Sequence, residues 1–329
     1  MNRPDRFQLS VDDYIAYRRD GYIIIRNLVS QEEIAEIWQH TVDLMSGITV
    51  IEGVEPPPGD ASEEERAQHF LRVHMLHRKH ELHERYLLHP RICDVLETLV
   101  GPDLLALQTM LFLKPSGREG QGYHQDSYYI PTYPDTLLGS WLAIDRADED
   151  NGCVLVTPGS HHEPIYPDAG RLSQNHVIGS MHDLATIEGA SSSVPEKNGL
   201  TPVAAKYESK EVPAVMDPGD VMFFHGHVLH RSLSNTTTDR SRRAFVSHYC
   251  NARSWVPWNH GMPFDGPSGN HLHILARGST HIPYALPKFG TPCDALDPGS
   301  AQTGVQPWTG DIVEMEAKQV AKGIVVARD

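Results

Sequence analysis

The stretch Leu104–Lys114, reading LLALQTMLFLK, marks a change of texture that decides how the rest of the chain is read. Five similar segments follow: Gly139–Ala147, Gly152–Thr157, Val212–Met216, Asp220–His230 and Arg242–Cys250. They are short, often β-branched or aromatic, and separated by Gly, Pro, Asp and Asn. Many short strands with turn punctuation predict a β-sandwich or barrel.

Upstream of this core the pattern is helical. Ser10 before Val-Asp-Asp-Tyr reads as an N-cap with acids in the first turn. Asp20-Gly21 ends that helix, and the β-branched run Tyr22–Ile25 reads as a strand. Ser30 with Glu33 three residues on forms a capping box, opening a helix to about Met45. Residues 52–64 read as loop, and 65–99 as helix in two pieces broken near His89-Pro90. Residues 163–211 lack periodicity, which predicts a lid or insertion. Residues 254–300 are rich in Pro, Gly and His and should wrap the surface, and a last helix is expected near Val313–Lys322. The expected organisation is one domain over 1–329: a helical flank at 10–100, a β core at about 104–250, the insertion, and a C-terminal extension from 251 to 329.

The chain has 329 residues with 43 acids against 28 bases, a formal net charge of -15. So acidic a surface repels phosphate backbones and excludes nucleic acid as an expected partner. The same charge weighs against large anionic substrates such as CoA esters. The four cysteines, Cys93, Cys153, Cys250 and Cys293, form no CxxC pair. They read as free thiols in a reducing compartment rather than a structural zinc site. The first residues carry no apolar signal region, and no run of about 18 apolar residues occurs, so neither export nor a membrane span is expected. The expectation is a cytoplasmic monomer or small homo-oligomer.

The chemistry sits in Tyr123-His124-Gln125-Asp126. In a strand, residues i and i+2 point to one side, so His124 and Asp126 can aim an imidazole and a carboxylate at one point. Two histidines and one carboxylate on one face of an ion leave its other positions open, as iron(II) oxygenases require. The second histidine must come from Gly219–His230, which offers His225, His227 and His230. Strand parity sets His225 and His227 apart from His230, but spacing alone does not choose among them. Beyond lies Arg242-Arg243, where an arginine can hold a carboxylate bidentately. His74, His77, His80 and His83 recur every three residues on an expected helix and read as a solvated face, with an adventitious metal site as the alternative.

In order along the chain, these pieces resemble the phytanoyl-CoA dioxygenase family of iron(II)/2-oxoglutarate oxygenases. The likeness runs from Asp12 to about Cys250. It rests on Asp20-Gly21-Tyr22 before the Ser30 helix, Gln108–Leu111 with Lys114-Pro115, and His124-Gln125-Asp126. It continues through Trp141, Asn151-Gly152-Cys153, Pro158–His161, Gly219–His225, His230-Arg231-Ser232 and Arg242–His248. The resemblance implies a double-stranded β-helix, the jelly-roll of cupin-like barrels. It selects His230 as the distal metal ligand and Arg242 for the far carboxylate of the co-substrate, with Ser232 in support. Met110, Gln125 and Trp141 would line the same pocket. Arg72 falls near a co-substrate contact that is usually Lys, and Arg231 replaces a frequent Gly. The implied cofactors are Fe(II), 2-oxoglutarate and O2. The implied reaction is hydroxylation of a small molecule with release of succinate and CO2. Related halogenases lack the carboxylate that Asp126 supplies, so halogenation is not implied.

Two other readings remain open from the residues alone. A metal-dependent hydrolase or isomerase on the same barrel would not need Arg242. A non-catalytic jelly-roll with a structural metal would need a fourth protein ligand. For the substrate pocket, Tyr128, Tyr129, Tyr133, Trp255 and Trp258 are the aromatic candidates.

Overall fold

A computed structural model describes residues 5–52, 54–62, 65–66, 69, 71–167, 186–190, 192–207, 211–256 and 273–281, and the backbone alone of 286–287 and 291–292. The N-terminal elements follow their local signals. Helix α1 (Val11–Asp20) is capped by the Ser10 hydroxyl and ends at Gly21, whose φ of 81° suits a residue without a Cβ. Strand β1 (Tyr22–Ile25) follows, then α2 (Gln31–Met45) with the Ser30/Glu33 capping box formed in both directions.

The expected helix over 65–99 is helical at 65, 66 and 69 and again from Glu81 on, and the stretch between is not α-helical. Arg72–His74 is instead a strand, β2, and α3 (Glu81–Leu87) and α4 (Pro90–Val100) follow, with Pro90 at the first turn of α4. The reason is tertiary. Strand β3 (Leu104–Lys114) offers Phe112, Leu111 and Met110 as an antiparallel template for Arg72, Val73 and His74. The four histidines therefore share no helix face. His74 ends a strand, His77 lies in a 3-10 turn, His80 caps α3, and His83 is inside it.

The β core consists of two sheets. The larger runs β1-β8-β5-β10-β3-β11-β12, where β5 is Leu138–Ala143, β8 Val221–His225, β10 Arg242–Asn251, β11 Ile274–Arg277 and β12 Leu286–Pro287. β2 joins it on β3. The smaller runs β4-β9-β6-β7, where β4 is Gln121–His124, β6 Val154–Val156, β7 Val212–Pro213 and β9 His230–Ser232. One apolar cluster joins Trp141, Met222, Phe224, Ala244 and Val246 of the larger sheet to Val154, Leu155 and Val156 of the smaller. The sheets thus face each other. A second cluster packs Ile34, Ile37, Leu44, Leu87 and Val95 of the helices on Leu111, Phe223 and Phe245, on the outer face of the larger sheet. Antiparallel sheets facing one another, with helices on one outer side, make the expected double-stranded β-helix.

Of the expected insertion, residues 163–167, 186–190, 192–207 and 211 are described. Ile165, Leu200, Val203 and Ala204 pack with Tyr128 and Leu229, and the Asn198 amide donates to the Tyr123 carbonyl at 2.9 Å. The expected helix at Val313–Lys322, Trp258 and Cys293 lie outside the described residues. Among the described residues no helix is long and apolar enough to cross a membrane.

Candidate metal centre and co-substrate pocket

Strand register builds the site. β4 and β9 pair antiparallel with His124 directly opposite His230, and their ring centroids are 4.0 Å apart. β4 ends at His124. Gln125 stays extended at φ -122°, ψ 129°, and Asp126 opens a 3-10 turn. The i, i+2 geometry thus carries past the end of the strand. The Asp126 Oδ1 atom lies 3.6 Å from His124 Nε2 and 3.7 Å from His230 Nε2. Among the described residues these three form the one His/Cys/Asp/Glu group whose ligating atoms all lie within 4.8 Å of one another.

The tautomers are set by the main chain. His124 Nδ1 donates to the Gly122 carbonyl at 2.9 Å, and His230 Nδ1 donates to the Val228 carbonyl at 3.0 Å. Both Nε2 atoms then carry lone pairs aimed at Asp126. Gln121 donates its amide to His124 Nε2 at 3.2 Å, consistent with that tautomer. Burial lowers His124 to a pKa of about 3, with His230 beside it adding to the effect. Burial works to raise the Asp126 carboxyl, but His230, His248 and His124 outweigh it and hold the group below the usual carboxylate range. Two imidazoles and one carboxylate fit a divalent transition metal, and among the described residues no fourth His, Cys, Asp or Glu joins them.

The sequence left three histidines open at the distal position, and the backbone explains why parity could not choose. The chain leaves the larger sheet after His225, turns, and enters the smaller sheet at His230. His225 and His227 stay at that corner. His227 Nε2 pairs with Asp135 at 2.5 Å, and its Nδ1 donates to the Glu163 carbonyl at 2.8 Å.

Beyond the metal group lies a cationic end. Arg242 is 1% exposed, and its Nε has no hydrogen-bond partner among the described residues. Its guanidinium sits 5.2 Å from the Trp141 ring centroid and 5.4 Å from that of Phe112. Arg243, of opposite parity, donates to Asp145 at 2.6 Å and lies over Trp38. Lys114 faces Arg242 across the β3–β10 ladder and is itself buried. Its Nζ donates to Ser232 Oγ at 2.9 Å and to the Leu233 carbonyl. Burial, with Arg242 and Arg72 nearby, brings Lys114 down to a pKa of about 7. A buried cluster of this charge attracts an anion.

The remaining candidates separate. Trp141 and Met110 belong to the apolar cluster between the sheets. Arg72 lies over Phe112 at 4.9 Å and reaches Gln121 at 3.5 Å. Gln125 turns its amide nitrogen to the carbonyls of His227 and Pro164, at 2.9 and 3.2 Å, and anchors the corner there. Tyr129 lies 6.3 Å from the His124 ring, Tyr128 is buried under the insertion, and Tyr133 pairs with Trp255 at the surface. Sequence reasoning missed Lys114, Gln121 and His248. Counting by twos from Met110 reaches Lys114, and from Arg242 reaches His248, so strand alternation held the signal for both.

Comparison with known proteins agrees with this geometry. The family model for phytanoyl-CoA dioxygenase matches residues 17–244. The peroxisomal phytanoyl-CoA dioxygenase of Rattus norvegicus is 28% identical over 268 residues, covering 75% of this chain and 72% of the relative. The Homo sapiens protein is 28% identical over 274 residues, covering 76% and 72%. Among solved structures, EctD from S. alaskensis with 2-oxoglutarate and 5-hydroxyectoine superposes with a TM-score of 0.55 at 19% identity, covering 77% of this chain and 79% of that one. The non-heme alpha-ketoglutarate-dependent carbocyclase SnoK gives 0.54 at 21% identity, covering 75% and 86%. These structures share the fold.

Proposed function

This chain belongs to the phytanoyl-CoA dioxygenase family and is an oxygenase, and from that premise we propose that it uses Fe(II), 2-oxoglutarate and O2 to hydroxylate a small-molecule metabolite, releasing succinate and CO2. The observation that carries this reading is the pairing of a three-ligand centre with a buried arginine whose Nε has no partner among the described residues. His124, Asp126 and His230 would hold the metal. Bound there, iron would supply the oxygen activation and the two-electron oxidation of the keto acid.

The chain's own residues do the rest. Ser232 lies one two-residue strand step, about 7 Å, from His230, and Lys114 joins it to Arg242. That span suits a five-carbon keto diacid with one end at the metal and the other on Arg242. Met110 and Trp141 supply apolar walls that exclude water and strengthen the electrostatics inside. Arg72 and Gln121 would sit at the mouth. A hydrolase or isomerase would leave Arg242 without a role, and a purely structural metal would leave the open positions without one. Cys153 and Cys250 are buried free thiols, which supports a reducing compartment such as the cytoplasm.

The test is a screen of small metabolites, free and as CoA esters, with Fe(II) and 2-oxoglutarate, reading O2 uptake and succinate. Asp126→Ala should abolish iron-dependent succinate formation. Turnover unchanged in that variant would reject the ligand set.

A further inference from the structure

His248 plays no part in the reading above, yet it touches the centre. It lies on β10, 4% exposed, on the same inward face as Arg242, Ala244 and Val246. Its Nε2–H donates to Asp126 Oδ2 at 2.8 Å. The other carboxylate oxygen, Oδ1, is the one near the two imidazoles. The two oxygens of Asp126 thus have different partners before any cation arrives.

The backbone is shaped to put the ring there. The β3–β10 register shifts immediately after His248, where the partner jumps from Gln108 to Ala106. A bulge beside a functional group re-aims side chains locally. The residue opposite on β5 is Gly139, which adds no side chain of its own and leaves that space to the Phe224 ring. The other cross-strand neighbour, Gln108, turns its amide to His74 at 2.9 Å and does not compete for Asp126. His248 Nδ1 is buried with no hydrogen-bond partner among the described residues, so the ring's polar contact is the one to the carboxylate.

We propose that His248 is a positioning residue that reserves one oxygen of Asp126, so that this carboxylate offers a bound metal a single donor and leaves a coordination position for the co-substrate. The inference rests on the proposed oxygenase reading. Its physical basis is simple. An unrestrained carboxylate can chelate through both oxygens, and a chelating Asp126 would occupy a position that the keto acid or O2 requires. A charge-assisted donor on the outer oxygen competes with that second bond.

The experiment compares His248→Gln with His248→Asn. The Gln amide nitrogen reaches about as far as imidazole Nε2, whereas the Asn amide stops near the Nδ1 position. Each protein is loaded anaerobically with saturating Fe(II) and titrated with 2-oxoglutarate, following the visible charge-transfer absorption. His248→Asn should lose about 10-fold or more in 2-oxoglutarate affinity, and His248→Gln should return to within about 3-fold of the parent. Parent-like binding by the Asn variant, or equal loss in both variants, overturns the proposal. Failure of both to hold metal would assign His248 to folding and overturn it as well. Failure of the parent protein to bind iron or 2-oxoglutarate would instead reject the oxygenase reading itself.

Discussion

Lys114 and Arg242 lie directly opposite each other on neighbouring antiparallel strands, both buried and both facing the space between the sheets. Two cations side by side away from water oppose folding unless an anion joins them. The co-substrate's distal carboxylate is that anion in the reading proposed here. Arg242→Gln should therefore raise KM for 2-oxoglutarate by on the order of 10²-fold, since truncating one partner of a buried charge pair costs about 2–5 kcal/mol. Arg243→Gln, which breaks the pair with Asp145 and the contact with Trp38, both away from Arg242, should leave KM within about 2-fold. Steady-state kinetics at varied 2-oxoglutarate separates the two, and equal effects would reject the assignment to Arg242.

Lys114 gives the same pocket a pH signature. Its folded pKa of about 7 lies below the unfolded value of 10.5, with burial the main cause. The cost of burying the charge is therefore full below pH 7 and fades as pH rises toward 10.5. Without co-substrate, Lys114→Met should stabilise the protein more at pH 6 than at pH 9, by about 1–3 kcal/mol. Urea denaturation at the two pH values measures the difference. An equal gain at both would show that the lysine is not held uncharged.

The His227–Asp135 pair at the corner between sheets predicts the opposite trend. Burial alone would lower His227, but the bond to Asp135 outweighs it and raises the group. A histidine raised in the fold contributes stability that is full below its unfolded pKa and is lost as pH climbs through the folded one. His227→Ala should cost about 1–2 kcal/mol near pH 5.5, discounted for partial exposure, and less at pH 9. Thermal melts across that range test it. Iron affinity should stay parental, because His230 rather than His227 enters the metal group.

Gly139 supports the centre through Phe224. A Cβ at position 139 would collide with the Phe224 ring, which lies 5.1 Å from the His230 ring. Gly139→Ala should cost about 1–3 kcal/mol by overpacking and weaken metal binding through displacement of His230. Co(II) titration of the folded variant reads the second effect. Parental affinity would show that Phe224 can move without disturbing His230.

The strands were legible because short β-branched and aromatic runs between turn residues dominate from Leu104 onward, and HxD because extended geometry persists through Gln125. Three features were not. β2 has only Arg72, Val73 and His74, too few residues for a pattern, and exists because β3 offers a free side. His230 could not be separated from its neighbours because the chain changes sheets between His225 and His230, where parity has no meaning. Lys114 and His248 looked like a strand end and an ordinary buried histidine. Their roles depend on which residue stands across the ladder, and that register is set by the assembled sheet.

The Gly122 and Val228 carbonyls that accept from His124 and His230 belong to each histidine's own chain, two residues earlier. Ring aim is thus inherited first from strand geometry, with Phe224 packed beside the His230 ring. Walls other than Phe224 can be exchanged one by one, toward a wider or narrower guest, while the two imidazoles keep their bearing. That decoupling makes the chamber a natural starting point for retargeting, with changes confined to walls away from the ligands and from Phe224.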